Sequence, residues 1–246
     1  MLTVLVPMME KNEFFDQTKY QLPLSMIEVA GETILEKAVK SLQTLTEKIK
    51  FVFVVDATTC KRFHIDDSIK MLLRNNVEVI VHDGATHGAL CTCLLAIEHI
   101  DNETPLVVSN VDQFFKIKLD DYYKSFLDYD GGVLTFDSVQ PRWAYALTDN
   151  SHFVKEVAEK RPISRDAIAG LIYFKSGKFF IECAKSAIRK NNRVFDKFYT
   201  SAALNEAILN GDNVKMLRID STDYISFYSQ HKMEEYSSLV VRKTNV

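Results

Sequence analysis

The chain has 246 residues, 47% of them hydrophobic and 26% charged, with a formal net charge of −3 at pH 7. This is the balance of a globular protein that buries a sizeable core, so disorder is not the default, and the mildly acidic total gives no general basic field for nucleic acid or an anionic membrane. The longest apolar runs, Leu2 to Met9 and Phe51 to Val55, are far shorter than the roughly 20 residues of a membrane-spanning helix, so no membrane span is expected.

In chain order, Leu2 to Val6 reads as a first buried strand rather than as a signal sequence, which makes the cytoplasm the expected compartment. Further β-branched runs follow at Ile49 to Val55, Val77 to His82, Leu106 to Ser109, Gly132 to Thr135, Tyr145 to Thr148 and Leu171 to Phe174. Between them Thr33 to Leu45, Ile65 to Asn75, Gly88 to His99 and Lys178 to Lys190 carry apolar residues at the three-to-four spacing of a buried helix face. Alternation of this kind predicts an α/β fold with a mostly parallel sheet covered on both faces, and ligands bind such sheets at the carboxyl ends of the strands. The loops after Val6, Val55, His82 and Ser109 are singled out by that rule.

From Gly131 to Phe174 the strands come closer together, with Asp149-Asn150-Ser151 as a turn between two of them. No linker or repeat divides the chain, so residues 1–246 are expected to form one domain, with a nucleotide-binding first half and an acceptor-binding second half. The cysteines, Cys60, Cys91, Cys93 and Cys183, lack the spacing of a zinc site and read as reduced core thiols.

Three segments carry candidate chemistry. Val108 to Phe115 places Asp112 and the amides of Asn110 and Gln113 just beyond an apolar strand, where a carboxylate can hold Mg²⁺ against phosphate oxygens or simply cap a turn. Phe153 to Ser164 ends a strand with Glu159, Lys160 and Arg161 before Pro162; a lysine there can neutralise a phosphate and the adjacent acid can accept from sugar hydroxyls, although solvated turns also have this composition. His82 to Leu90 is a strand end, a small-residue loop and a helix start, in which Gly88 permits close backbone approach and free N–H groups attract phosphate or a base edge.

The order of Pro7-Met8-Met9, Pro23 to Thr33, Gly84 to Leu95, Ser109 to Phe114, Glu159-Lys160-Arg161-Pro162-Ile163-Ser164, Ala169 to Phe174 and Phe198 to Ile208 resembles the sugar-phosphate nucleotidyltransferase family, most closely its bacterial capsule and surface-polysaccharide branch. The resemblance implies a three-layer, Rossmann-like glycosyltransferase A-type fold around a mixed sheet. It implies that Asp112 and Lys160 are the catalytic pair, with Asp112 binding Mg²⁺ and Lys160 a phosphate. Pro7, Met8, Met9, His87, Gly88 and Asn110 would lie on the nucleotide, and Glu159 and Gly170 on the substrate. The partners implied are a nucleoside triphosphate or nucleotide-sugar and a small phosphorylated acceptor; homo-oligomerisation is left open.

The sequence also departs from the family. Its glycine-rich, arginine-bearing first loop is replaced by Met9-Glu10-Lys11-Asn12-Glu13-Phe14-Phe15, Leu24 stands where a lysine is usual, and Ser226 stands where a second metal-binding Asp is usual. Lys11 or Lys19 are candidates for the lost charge, and Asp220 or Asp223 for the lost metal ligand. Three readings therefore stay open on the sequence: nucleotidyl transfer with pyrophosphate release, a nucleotide-sugar-dependent glycosyltransferase, and a non-catalytic nucleotide- or sugar-binding relative in which Phe14, Phe15 and Tyr20 make a protein contact.

Overall fold

A computed structural model describes residues 1–9 and 22–244, with side chains up to Val240. The first half runs β1 (Leu2–Met8), a hairpin of β2 (Glu28–Val29) and β3 (Glu32–Thr33), α1 (Ile34–Leu42), β4 (Ile49–Asp56), α2 (Ala57–Phe63), α3 (Ile65–Leu73), β5 (Val77–His82), α4 (Ala89–Leu94), α5 (Ile97–Ile100) and β6 (Leu106–Ser109). The second half runs β7 (Gln113–Phe115), α6 (Asp120–Phe126), β8 (Gly131–Asp137), β9 (Ala144–Thr148), β10 (Val154–Glu159), β11 (Asp166–Phe174), α7 (Gly177–Arg189), α8 (Ser201–Leu209), β12 (Val214–Arg218), β13 (Tyr224–Ser226) and α9 (Gln230–Thr244).

Helices α1, α2 and α7 begin where a side chain satisfies one of the first N–H groups. Thr33 and Glu36 form a reciprocal capping box at α1, Asp56 accepts from Thr59 N at α2, and Ser176 accepts from Phe179 N at α7. A nine-stranded sheet has the order β10-β9-β11-β6-β1-β4-β5, with β8 pairing β11 and β12 pairing β8. Strands β6, β1, β4 and β5 are parallel, whereas β11 runs antiparallel to β6 and β8, and β9 and β10 form an antiparallel hairpin. The Asp149 carboxylate accepts from Ser151 N and Phe153 N in that hairpin's turn.

Alternation along the central strands splits the core into two layers. Leu5, Val52 and Val54 meet Leu90, Phe180, Ala184 and Ala203 on one face of the sheet; Val4, Val6, Phe51 and Phe53 meet Leu35, Val39, Ile69 and Phe126 on the other. This is the helix–sheet–helix arrangement expected from the alternating pattern. Cys60, Cys93 and Cys183 are buried and all four cysteines are free thiols; burial pushes Cys60 up to about 11 and Cys183 up to about 12. Among the described residues no helix is long and apolar enough to cross a membrane.

Candidate functional site

The parallel strands end on one side, where β1 delivers Pro7 and Met8 opposite Val54 and Val55, and Met9 packs onto the inner core layer. Beside them β6 ends at Ser109, so Asn110 and Asp112 follow the strand's carboxyl end. Asp112 is held through its backbone, because its carbonyl accepts from Phe227 N at 2.8 Å and the next residues pair as β7 with β13, Gln113 opposite Ser226. Burial pushes the Asp112 carboxyl above its usual range, with the Arg142 guanidinium acting in the opposite direction.

Behind Asp112 the buried Gln113 side chain ties three strands together. Its Nε2 donates to Ala169 O and Gly170 O at 2.9 and 2.8 Å, while its Oε1 accepts from Tyr224 OH at 2.8 Å. Between Ile168 and Ile172 β11 changes register against β8, and within that bulge Gly170 has φ +62°. Asn110 N donates to Gly170 O at 3.3 Å, so the bulge and the strand-end loop are directly joined.

Lys160 follows β10 with φ +55°, and its N–H donates to Trp143 O at 2.9 Å. Its ammonium lies 5.3 Å from the Tyr199 ring centre and 5.9 Å from that of Phe195. Together with Arg142, Lys197 and Tyr228 these side chains line a cavity of about 620 Å³. The Arg142 guanidinium stacks 3.0 Å from the Tyr228 ring centre, and Trp143 braces that ring edge-on at 5.6 Å. Arg142 is thus tied to both sides: it lines the Lys160 cavity and stacks on Tyr228, the residue after Phe227, whose N–H donates to Asp112 O.

Glu159 does not share that cavity. The chain leaves the strand at Lys160 in a left-handed turn, and Glu159 accepts from Ser201 Oγ at 2.7 Å while lining a separate cavity of about 420 Å³ between β10 and α8. Tyr199 borders both cavities. His87 and Gly88 connect to the same wall: Phe198 N donates to His87 O at 2.7 Å and Leu90 N to Phe198 O at 3.0 Å. Gly88 has φ +112° and passes so close to the Phe198 backbone that a Cβ would collide with it. The Leu90 N–H, one of those the loop was expected to offer a phosphate, is therefore taken by the 192–200 segment.

The candidate metal ligands Asp220 and Asp223 are not brought to Asp112. Lys116 N donates to Asp223 O at the far end of the β7–β13 ladder, whereas Phe227 faces Asp112 at the near end. Four residues of strand separate the two ends by about 13 Å, too far for one ion to join Asp223 to Asp112. Asp220 is exposed and turned onto Thr222, whose N–H and hydroxyl donate to it at 2.8 and 2.7 Å. Among the described residues no cluster of three metal-ligating side chains occurs. Glu10, Lys11, Glu13, Phe14, Phe15, Lys19 and Tyr20 lie outside the described residues.

Sequence reasoning missed Arg142, Lys197, Phe195 and Tyr199. The available signal was Pro141-Arg142-Trp143, which puts a cation beside the chain's sole tryptophan at the start of a strand.

The architecture defines an α/β protein of the Rossmann-like class, with its candidate site at the carboxyl ends of its parallel strands. Among solved structures the chain is similar to a nucleoside-diphosphate-sugar pyrophosphorylase from Vibrio cholerae, with a TM-score of 0.83 and 21% identity over 97% of this chain and 100% of that one. It is also similar to a putative glucose-1-phosphate thymidylyltransferase from Bacillus anthracis, with a TM-score of 0.73 and 16% identity over 97% of this chain and 95% of that one. The fold is therefore that of these nucleotidyltransferase structures. No family model matches the chain, and no curated protein matches it.

Proposed function

We propose that the protein transfers a nucleotide from a nucleoside triphosphate to a small phosphorylated acceptor and releases pyrophosphate. The carrying observation is that Arg142 lines the Lys160 cavity while stacked on Tyr228, whose neighbour Phe227 donates its N–H to the carbonyl of the strand-end Asp112. The activities named for the two similar structures supply the reaction class.

In this reading the triphosphate lies over Pro7, Met8, Met9 and Asn110, and the acceptor phosphate lies on Lys160. An acceptor phosphate oxygen attacks the α-phosphorus; the new P–O bond forms as the bond to the β-phosphate's bridging oxygen breaks, and pyrophosphate leaves with that electron pair. Lys160 neutralises the attacking group as a point charge, while Arg142, its plane fixed on Tyr228, donates to the α-phosphate where negative charge grows.

Asp112 also fits one divalent cation. Its carboxylate has no side-chain hydrogen-bond partner among the described residues and is disfavoured as an anion by burial. Magnesium is commonly held by one or two carboxylates, with phosphates and waters completing its shell. When bound, Mg²⁺ would neutralise phosphate oxygens; the protein's own task is to hold Asp112 in place through the β7–β13 ladder. A cytoplasmic role in activating a polysaccharide building block is consistent with this chemistry.

The test is product identification. Wild-type protein incubated with Mg²⁺, each common nucleoside triphosphate and a set of phosphorylated acceptors is expected to yield a nucleotide joined to the acceptor through a new pyrophosphate bridge, visible by mass spectrometry. Nucleotide binding by calorimetry with no such product would instead support the non-catalytic reading.

A further inference from the structure

Outside the two main core layers lies a third, small one, where α9 meets the β2–β3 hairpin: Ile27, Val29, Ile34, Phe227 and Met233 are buried together. Among the described side chains of α9 only Met233 is fully buried. Tyr236, three residues on and so on the same helix face, is half-buried and turned onto two other rings. It meets Phe114 and Phe227 edge-on, each at 5.6 Å, while those two stack on each other at 5.9 Å. From α1 the Lys37 ammonium, paired with Glu32 at 3.0 Å, lies 5.9 Å from the centre of the Tyr236 ring.

The two rings that Tyr236 touches flank Asp112. Phe114 is the second residue after it, in β7, and Phe227 donates the backbone N–H that holds the Asp112 carbonyl at 2.8 Å. Phe227 is followed by Tyr228, whose ring carries the Arg142 guanidinium. One side chain of α9 therefore packs on both arms of the Asp112 loop, next to the residue that orients Arg142. Lys160 is placed separately, by its own N–H on Trp143 O.

Resting on the nucleotidyl-transfer reading, we propose that Tyr236 is a positioning residue: its ring fixes the Phe227–Tyr228 segment, and through it the Asp112 carboxylate and the plane of Arg142. Closely packed rings have no room to turn, so removing one lets its two partners rotate into the space and carry the Phe227 backbone with them. A displacement of about 1 Å in a group that acts on the reacting phosphate costs up to about 10²-fold in rate.

The test compares Tyr236→Ala and Tyr236→Phe with Ile69→Val and Ile69→Ala, which open space under α3, in a different core layer from this cluster. The first readout is steady-state pyrophosphate release with Mg²⁺, each common nucleoside triphosphate, and glucose 1-phosphate or glycerol 3-phosphate. The second is the emission of Trp143, the sole tryptophan, whose ring lies 5.6 Å from that of Tyr228. Tyr236→Ala is expected to lower kcat at least about tenfold, with the acceptor KM within about threefold of wild type, and to shift Trp143 emission. Tyr236→Phe keeps the ring and should match wild type in both readouts. The Ile69 variants should melt lower yet keep wild-type kcat and emission. The proposal is overturned if Tyr236→Ala leaves either kcat or emission unchanged, or if an Ile69 variant that melts as low reproduces both losses. Wild type that releases no pyrophosphate with either acceptor counts against the transfer reading alone, because the emission comparison needs no turnover and still upholds or overturns the placement of Tyr236.

Discussion

Gln113 Nε2 donates to the carbonyl of Gly170 at 2.8 Å, and this bond fastens the loop bearing Asp112 to the bulge in the longest antiparallel strand. A Cβ at Gly170 would collide with the Gln113 carboxamide and with Asn110 Nδ2, in a backbone of φ +62°. Both the crowding and the left-handed conformation oppose any side chain there.

Gly170→Ala is accordingly expected to cost about 3 kcal/mol of stability by urea unfolding. Gly211 is the control: it has φ +87°, but nothing lies within 4 Å of the place a Cβ would take. Gly211→Ala should cost only about 1 kcal/mol, the conformational part alone. Equal losses at the two sites would show that the Gln113 contact does not constrain the bulge.

Lys160 and Arg142 should separate kinetically. Lys160→Met is expected to raise the acceptor KM at least about tenfold with little change in the nucleotide KM, as loss of a phosphate contact would do. Arg142→Lys keeps the charge but loses the planar group that stacks on Tyr228. It is expected to lower kcat about 10²-fold, and a fully active Arg142→Lys protein would remove Arg142 from the proposed mechanism.

The α7–α8 contact gives a pH-dependent stability. The buried Glu206 accepts from Lys190 Nζ at 2.6 Å and Ser186 Oγ at 2.7 Å. Burial pushes its carboxyl up, but the Lys190 and Ser186 hydrogen bonds, with the charges of Lys190 and Arg189, hold it below the ordinary value of 4.5. A carboxyl depressed on folding stabilises fully above its unfolded value and loses that contribution as pH falls through the folded one. Glu206→Gln should therefore cost about 2 kcal/mol at pH 7, with the difference from wild type shrinking below pH 4.5 in urea melts. A difference that stays constant through that range would place the effect in packing rather than charge.

Much of the fold was legible because its signals are local. The runs at Leu2, Ile49, Val77 and Leu106 are short and β-branched, and the apolar spacing from Thr33 to Leu45 marks α1. Asp112 and Asn110 were legible as residues just beyond a strand end, and the structure connects them through Gln113 and the backbone to Gly170, which only the resemblance had singled out. What failed was inference of spatial from sequential proximity. Glu159 and Lys160 are neighbours in the chain, yet the strand ends between them and the left-handed backbone of Lys160 puts them beside different cavities. Asp223 is three residues from Ser226, yet at roughly 3.3 Å per residue that displacement removes it from Asp112. Arg142 and Phe195 gave no periodic signal, since one lies in the loop before β9 and the other in the tight Val194–Lys197 turn with φ +48°.

The most direct measurement is the rate of pyrophosphate release by wild type and Asp112→Asn, with triphosphate alone, acceptor alone and both together. Release by wild type is expected only when both substrates are present, and it should fall about 10³-fold in Asp112→Asn with its fold intact by circular dichroism. Release that ignores the acceptor, or that persists undiminished in Asp112→Asn, would contradict nucleotidyl transfer at this site.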